Sequence, residues 1–543
     1  MFFAAFAVYL FTAAPTVTFW DSGELIAASY QLGISHQPGY PLYCITGRLF
    51  SLLPFGNIAY RFNILSAFFS AASAFAVYLL LKEILTDKGT ISEFVSALLA
   101  LNLAFVKVFW SQAVVAEVYA LNSLFIALLL LAYLKAVNGK ISPLQYMLFS
   151  GLFFGLGLVN HESLILYLPS LIITWLLAGP MPGRERARAA IMGMAFIVLG
   201  LSVYIYLPVR SSVNPVIDIG DPVNWPRFWW VIKWGEYIRA VRPLMSKAST
   251  FIADLRLLNP WFLGGVASAA FVSYRFLKRS WKIYLPLLLF TFVYGVCISL
   301  LVLGNPGDDK FGLAGKFFIP VAIMAVVFLG SEAGEIMKKG GKYAGPALAV
   351  FLSISAIYLL ARNYRPNDYS RNFIAYDYAA NSLKSAGEKG VLFTWGDNGV
   401  FPLWYVQQAE RYRDDAVLLH TPLMTYDWYL ADAKKWLGRD IDFMGSYYLG
   451  ENVFRVVKAV SPERQVAYDY STVRFMRLEP EKLKVRGLVY FEGPAPQGDP
   501  WLSYVFRGVD DPAVFKGGME KNIIQIYKYM RQQASPLPSQ APE

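Results

Sequence analysis

Apolar runs long enough to cross a bilayer recur through the first 361 residues of this chain. A spanning helix needs about 17–25 such residues. About eleven segments qualify, near residues 1–19, 62–81, 94–110, 114–134, 144–160, 163–179, 189–208, 260–277, 283–303, 316–334 and 345–361. Lipid offers the backbone no hydrogen-bond partner, so each must satisfy its own amides as a helix. A polytopic α-helical membrane protein follows. Composition agrees, with 56% of the 543 residues hydrophobic and 16% charged, too apolar for a soluble protein of this size.

The net charge of +11 does not point to nucleic acid, because many of the cations sit in short loops between apolar runs and no nucleic-acid motif is present. Lys82 and Lys88, Lys135 and Lys140, Arg184 to Arg188, Arg275 to Lys282, and Lys338 to Lys342 follow even-numbered spans. The positive-inside rule makes that side cytoplasmic. The N-terminus is then inside, and the loops after odd-numbered spans are outside. The first segment lacks the basic start and small-residue cleavage site of a signal peptide. Cys44 and Cys297 build neither a zinc site nor a disulfide framework.

After residue 361 the pattern becomes soluble. Residues 391–395 and 416–420 read as buried strands, and 401–412 and 429–436 as helices. This alternation predicts an extracytoplasmic α/β domain over 362–534 beside the membrane domain 1–361. Residues 535–543 read as a disordered tail. Ligands gather at the carboxyl ends of such strands, which singles out Asp397 and Asn398.

The chemically loaded residues all fall on the predicted outer face. Asp21 and Glu24 follow the first span directly. A carboxylate at a helix centre in the membrane costs roughly 3 kcal/mol, so such a pair is expected to work in a cavity. The rival reading is a capping box for the next helix. His36 shares their loop, whose two prolines and a glycine force an irregular path. Glu117, His161 and Glu162 lie at the outer ends of other spans, in a spacing that matches no metal motif. Arg210 ends the seventh span against the positive-inside bias, suiting a lipid phosphate, with Asp218 and Asp221 close behind. Asp308 and Asp309 belong to the same face, and Trp225 to Trp234 read as an interfacial helix.

Several of these stretches resemble a family of multi-pass membrane glycosyltransferases, typified by the animal transmembrane protein O-mannosyltransferase that modifies plexin-type receptor domains. They are TVTFWDSGEL at 16–25, HQPGYP at 36–41, VAEVYALN at 115–122, Asn160-His161, LPVR at 207–210, Asn214-Pro215, GDP at 220–222 and GDNGVFPLWY at 396–405. Gln37 stands where a second proline is expected, and Gly399-Val400 where bacterial members tend to have Asp-Thr. The resemblance implies a GT-C architecture, and the lack of any Asn-x-Ser/Thr acceptor fits a bacterial or archaeal cytoplasmic membrane. It implies a polyprenyl-phosphate-linked sugar donor, mannose in the animal member, and a protein or glycan acceptor. Asp21 is then the catalytic base and Glu24 its orienting partner. Arg210 and His36 hold the donor phosphate. Glu117, His161, Glu162, Asp218, Asp221, Asp397 and Asn398 bind substrate, and no cofactor or metal is called for. Membrane-depth acids and broken helices would also suit a transporter or flippase. The clustering of charge at one face, beside a soluble domain, favours the enzyme.

Overall fold

The computed structural model describes residues 1–85, 89–233, 260–303, 315–445, 447–461 and 463–534. Asp308, Asp309, Trp234 and the 535–543 tail lie outside the described residues. Seven described helical stretches are long and apolar enough to span a membrane: Ile58–Ile84, Tyr119–Val137, Pro143–Asn160, Gly183–Ser211, Ser273–Ile298, Lys316–Lys339 and Ala344–Asn367, of which Ser273–Ile298 is broken at Ser280. Phe2–Thr12, Thr90–Ala104 and Glu162–Leu177 are shorter apolar helices.

One departure from the sequence pattern has a local cause. The first apolar run is helical only to Thr12. Residues 13–20 are irregular, yet three successive carbonyls are satisfied by side chains: Asn63 donates to Ala14 O at 2.7 Å and Thr16 O at 3.0 Å, and Asn57 to Pro15 O at 2.7 Å. Irregular backbone is tolerated inside a membrane protein on that condition. The expected break between the 260–277 and 283–303 runs falls at Ser280, within the helical stretch Pro260–Leu303. Residues eight apart on one helix lie about 12 Å apart. The rings of Phe276 and Tyr284 are 4.9 Å apart, so the chain reverses there.

Small residues set the closest helix approach. A Cβ on Gly151 or Gly155 would fall 2.3 or 2.4 Å from the carbonyl oxygens of Gly193 or Ile197. That pins Pro143–Asn160 against Gly183–Leu201, as small residues do between membrane helices. Several basic loops meet acids at one end of the bundle: Lys82 pairs with Glu93, Lys140 with Glu83, and Arg279 with Glu332.

At the other end sits a five-stranded sheet in the order β2-β1-β3-β5-β4. β1 (Val391–Thr394), β2 (Val417–His420) and β3 (Val466–Asp469) are parallel, and β5 (Val489–Phe491) pairs antiparallel with both β3 and β4 (Lys484–Arg486). The expected strands are present, shorter by a residue each, and the expected helices run Asp397–Gln408 and Asp427–Leu437. Chain order takes β1 to β2 on one side and then to β3 on the other. The carboxyl end of β1 is therefore a switch point of the kind where α/β sheets bind ligands.

Candidate active site

The Ser22–Gln31 helix organises the site. Its start follows Trp20, whose φ of 64° turns the chain sharply into the helix. The helix then lies against the start of Asp397–Gln408. A Cβ on Gly23 would fall 2.2 Å from the carbonyl oxygen of Phe401, so only glycine permits that approach. Trp20 N–H donates to Asn398 Oδ1 at 2.7 Å, locking the 396–398 loop to the 16–25 stretch.

The capping-box reading of Asp21 and Glu24 fails. Neither side chain caps the helix; both leave it for other partners. Glu24 is fully buried and accepts from both the backbone N–H and ring Nδ1 of His36, the latter at 2.6 Å. Asp21 Oδ2 accepts from Lys316 Nζ at 3.2 Å, and Lys316 also reaches Glu117 Oε1 at 3.5 Å. The same ammonium lies 4.8 Å from the centre of the Tyr119 ring. His161 packs on Tyr119 at 5.0 Å and on Tyr40 at 6.2 Å, and Tyr40 packs on His36 at 5.0 Å. The His36 loop is irregular as expected: Gly39 and Tyr40 have φ of 89° and 42°, and Ser35 Oγ donates to Gly39 O.

Electrostatics divide this cluster into unequal acids. Burial pushes Asp21 up, but Lys316 and His36 more than offset it and hold the carboxyl below its usual range. Burial dominates at Glu117 and raises it to about 7. His36 is drawn up to about 10 by Glu24 against the cost of burial, with Asp21 and Asp397 adding to the pull. His161 is pushed down to about 3 by burial and by Lys316 and His36, so it is neutral. At neutral pH the cluster holds an ionised Asp21, two cations, and a neutral imidazole between aromatic rings.

Asp21, Glu24, His36, Glu117, His161 and Asp397 thus converge from four stretches of sequence, with Asn398 tying in the loop. Glu162 follows His161 at the start of a 3-10 turn, its Oε1 3.4 Å from His161 Nδ1. Arg210 does not join them. Its guanidinium donates to the carbonyls of Leu32 at 2.7 Å and Gln31 at 3.3 Å, at the far end of the Ser22–Gln31 helix. Ten residues of helix put that end about 15 Å from Asp21. Asp218 and Asp221 share that far region. Ser211 Oγ lies within hydrogen-bond reach of both, Asp221 pairs with Arg227, and Ile34 bridges to Asp218 in β fashion. Of the interfacial aromatics, Trp225 and Trp229 are exposed, while Trp230 packs on Tyr426 of the α/β region.

Lys316 is the residue that sequence reasoning missed. The signal was there, since a lysine at the predicted outer end of a span defies the positive-inside bias as Arg210 does. Its ammonium lies between Asp21 and Glu117, where a divalent ion would bridge paired acids, so this donor set does not fit a metal. Among the described residues no three His, Cys, Asp or Glu side chains assemble as a metal site.

Residues 21–179 match the family described as the Protein O-mannosyl-transferase TMEM260 N-terminal domain, and residues 375–438 match TMEM260-associated domain 2. The Protein O-mannosyl-transferase TMEM260 of Mus musculus is 26% identical over 492 residues, covering 86% of this chain and 68% of that protein. Its namesake in Dictyostelium discoideum is 23% identical over 500 residues, covering 82% of this chain and 60% of its own. Both relatives are eukaryotic, so the likeness does not narrow the source to bacteria or archaea. Among solved structures, ArnT from Cupriavidus metallidurans bound to undecaprenyl phosphate superposes with a TM-score of 0.52 at 11% identity, over 91% of this chain and 98% of that one. The Archaeoglobus fulgidus oligosaccharyltransferase gives 0.50 at 14% identity, over 87% and 68%. The first family match opens at Asp21 and takes in Glu24, His36, Glu117 and His161, and the second takes in Asp397 and Asn398. This chain is a polytopic membrane glycosyltransferase, related to the TMEM260 protein O-mannosyl-transferases and built on the GT-C fold.

Proposed function

We propose that the enzyme moves a single mannose-like sugar from a polyprenyl phosphate to an acceptor hydroxyl, a protein Ser or Thr, with inversion at the anomeric carbon. The acceptor oxygen bonds to that carbon, and the bond from carbon to phosphate oxygen breaks. The acceptor proton passes to Asp21, and the electron pair leaves with the lipid phosphate. A positioned carboxylate lowers the cost of the first transfer. Fixed cations stabilise the charge that develops on the second. The observation that carries this reading is the pairing of Asp21 with Lys316, a base and a cation in one buried cluster. Lys316 takes the role of phosphate cation, with His36, held protonated by Glu24, as the second. Glu117 keeps Lys316 within reach, and neutral His161 and the rings of Tyr40 and Tyr119 shape the sugar pocket. Asp397 and Asn398 hold the soluble region over the centre. The likeness to ArnT solved with undecaprenyl phosphate supports a polyprenyl donor.

The test is transfer in vitro by the full chain from a panel of polyprenyl-phosphate sugars, with mass spectrometry of the acceptor. Mannosylated Ser or Thr is expected, and transfer from a nucleotide sugar alone would overturn the donor. The centre is further proposed to face outward, with the N-terminus cytoplasmic. In a Cys44/Cys297-free background, an impermeant thiol reagent should label Glu388→Cys in intact cells. Labelling only after permeabilisation would reverse the orientation.

A further inference from the structure

The far end of the Ser22–Gln31 helix carries a second cationic feature. An open groove of about 510 Å³ is lined by Arg48, Arg210 and Arg411, and no carboxylate lines it. Two of these arginines have a structural job. Arg48 donates to Tyr30 O at 2.8 Å, and Arg210 to Leu32 O and Gln31 O, satisfying carbonyls at a helix end that closes through Leu32 in the left-handed conformation. Arg411 has none. Its guanidinium makes no hydrogen bond or ion pair among the described residues, and its backbone sits at a φ of 59°, an uncommon conformation for a residue with a side chain. Three guanidinium groups lining one groove with no carboxylate among them favour an anion there.

The surroundings say which kind of anion. Leu49 and Leu52 follow Arg48, Val209 and Val213 flank Arg210, and all four are exposed apolar side chains at the ends of bundle helices. A phosphate in the groove would have an acyl or prenyl chain's natural surface beside it. A cavity of about 280 Å³ adjoins the groove; Arg411 and Val216 line both. Trp404, Trp428 and Trp436 wall that cavity, together with Asp218, Asp414 and Asp432. Asp218 is buried and its Oδ1 has no hydrogen-bond partner. Flat aromatic faces with a few carboxylates suit a sugar ring, whose apolar faces stack while its hydroxyls donate.

We infer that this groove and cavity form a second, non-catalytic site for a lipid-phosphate-linked sugar, with the phosphate on Arg48, Arg210 and Arg411 and the sugar among the tryptophans. The choice of a lipid-linked sugar rests on the proposed function; the site itself lies about 15 Å from Asp21, at the other end of the same helix. It would hold a donor molecule at the bilayer edge while another reacts.

A diazirine-bearing polyprenyl phosphate mannose, cross-linked to the purified full chain in lipid nanodiscs, tests this. Two adduct zones are expected, one around residues 21–40 and 117 and one around 210–216 and 404–411. Arg411→Glu should cut the second at least about tenfold and spare the first, while Lys316→Met should do the reverse. Unlabelled polyprenyl phosphate mannose should compete for the second zone better than polyprenyl phosphate without the sugar, phosphatidylglycerol or inorganic phosphate. Equal competition by phosphatidylglycerol or inorganic phosphate would overturn the sugar assignment. A second zone that is absent, or that Arg411→Glu leaves intact, would overturn the site while the first zone keeps the proposed function standing. Loss of both zones in the unmutated chain would overturn both.

Discussion

The two ends of the Ser22–Gln31 helix hold charge in opposite ways. At its start, acids and cations are buried together and answer one another: Asp21 and Glu117 share Lys316, and Glu24 takes His36. At its finish, the charged residues lining the groove are all arginines, and two of the three are satisfied by backbone carbonyls. Buried charges cost several kcal/mol each unless paired, so the first arrangement is fixed before any substrate arrives. Such preorganisation is what stabilises a developing charge without further rearrangement. The open groove is not neutralised from within and so is suited to binding an anion. The difference separates a place for chemistry from a place for holding.

The largest expected effect sits at the first end. Asp21→Asn keeps shape and removes the base, which should lower transfer by about 10²–10⁴-fold with donor binding retained. Turnover within a few-fold of the unmutated enzyme would put the base elsewhere. Next comes Lys316→Met. It removes the cation assigned to the leaving phosphate, at roughly 10- to 150-fold in donor use. It also leaves Asp21 and Glu117 without their shared partner, so the Asp21 carboxyl should rise from its depressed position. The acid limb of the kcat/KM profile should therefore move to higher pH. A profile that stays in place would show that Lys316 does not set the ionisation of Asp21.

A smaller effect is expected at Glu24. In the folded protein His36 is raised to about 10, above its ordinary value near 6.5. The charge-pair contribution to stability is thus complete below about 6.5 and fades as pH rises through about 10. Glu24→Gln removes the main cause. The alkaline limb of activity should fall toward or below neutrality, and the stability difference between pH 6 and pH 10 should shrink. Thermal unfolding across that range, with and without the substitution, measures it. An unchanged alkaline limb would remove the His36 cation from the mechanism.

Much of this contrast was legible in the sequence, and the part that was not has a physical reason. The acids of the first end announce themselves because a carboxylate beside an apolar span is costly, and the strands β1 and β2 because short apolar runs end at Gly-Asp-Asn and at His420. Gly23 could not be explained from sequence, because the contact that demands it is with Phe401, far along the chain. Lys316 and Arg210 carried the same signal, a cation at the predicted outer end of a span. Sequence spacing cannot say which end of the Ser22–Gln31 helix each would reach, since that depends on how the spans pack. The reversal at Ser280, by contrast, was legible, since it falls among the cations Arg275 to Lys282 between two apolar runs.

Arg210 gives the smallest and most discriminating test of the comparison. If it held the reacting phosphate, its loss would resemble that of Lys316. Its bonds are instead to Leu32 and Gln31 carbonyls, about 15 Å from Asp21, where it caps a helix and lines the groove. A capping hydrogen bond of this kind contributes about 1 kcal/mol. Arg210→Ala should therefore lower thermal stability slightly and leave turnover at saturating donor within about threefold, since nothing it touches meets the reacting atoms. Arg210→Lys keeps a charge in the groove but cannot reach two carbonyls with one planar fork, so it should recover groove labelling better than it recovers stability. Measuring both variants separates the two jobs. A large loss of turnover at saturating donor for Arg210→Ala, with stability intact, would collapse the distinction and return the donor phosphate to the far end of the helix.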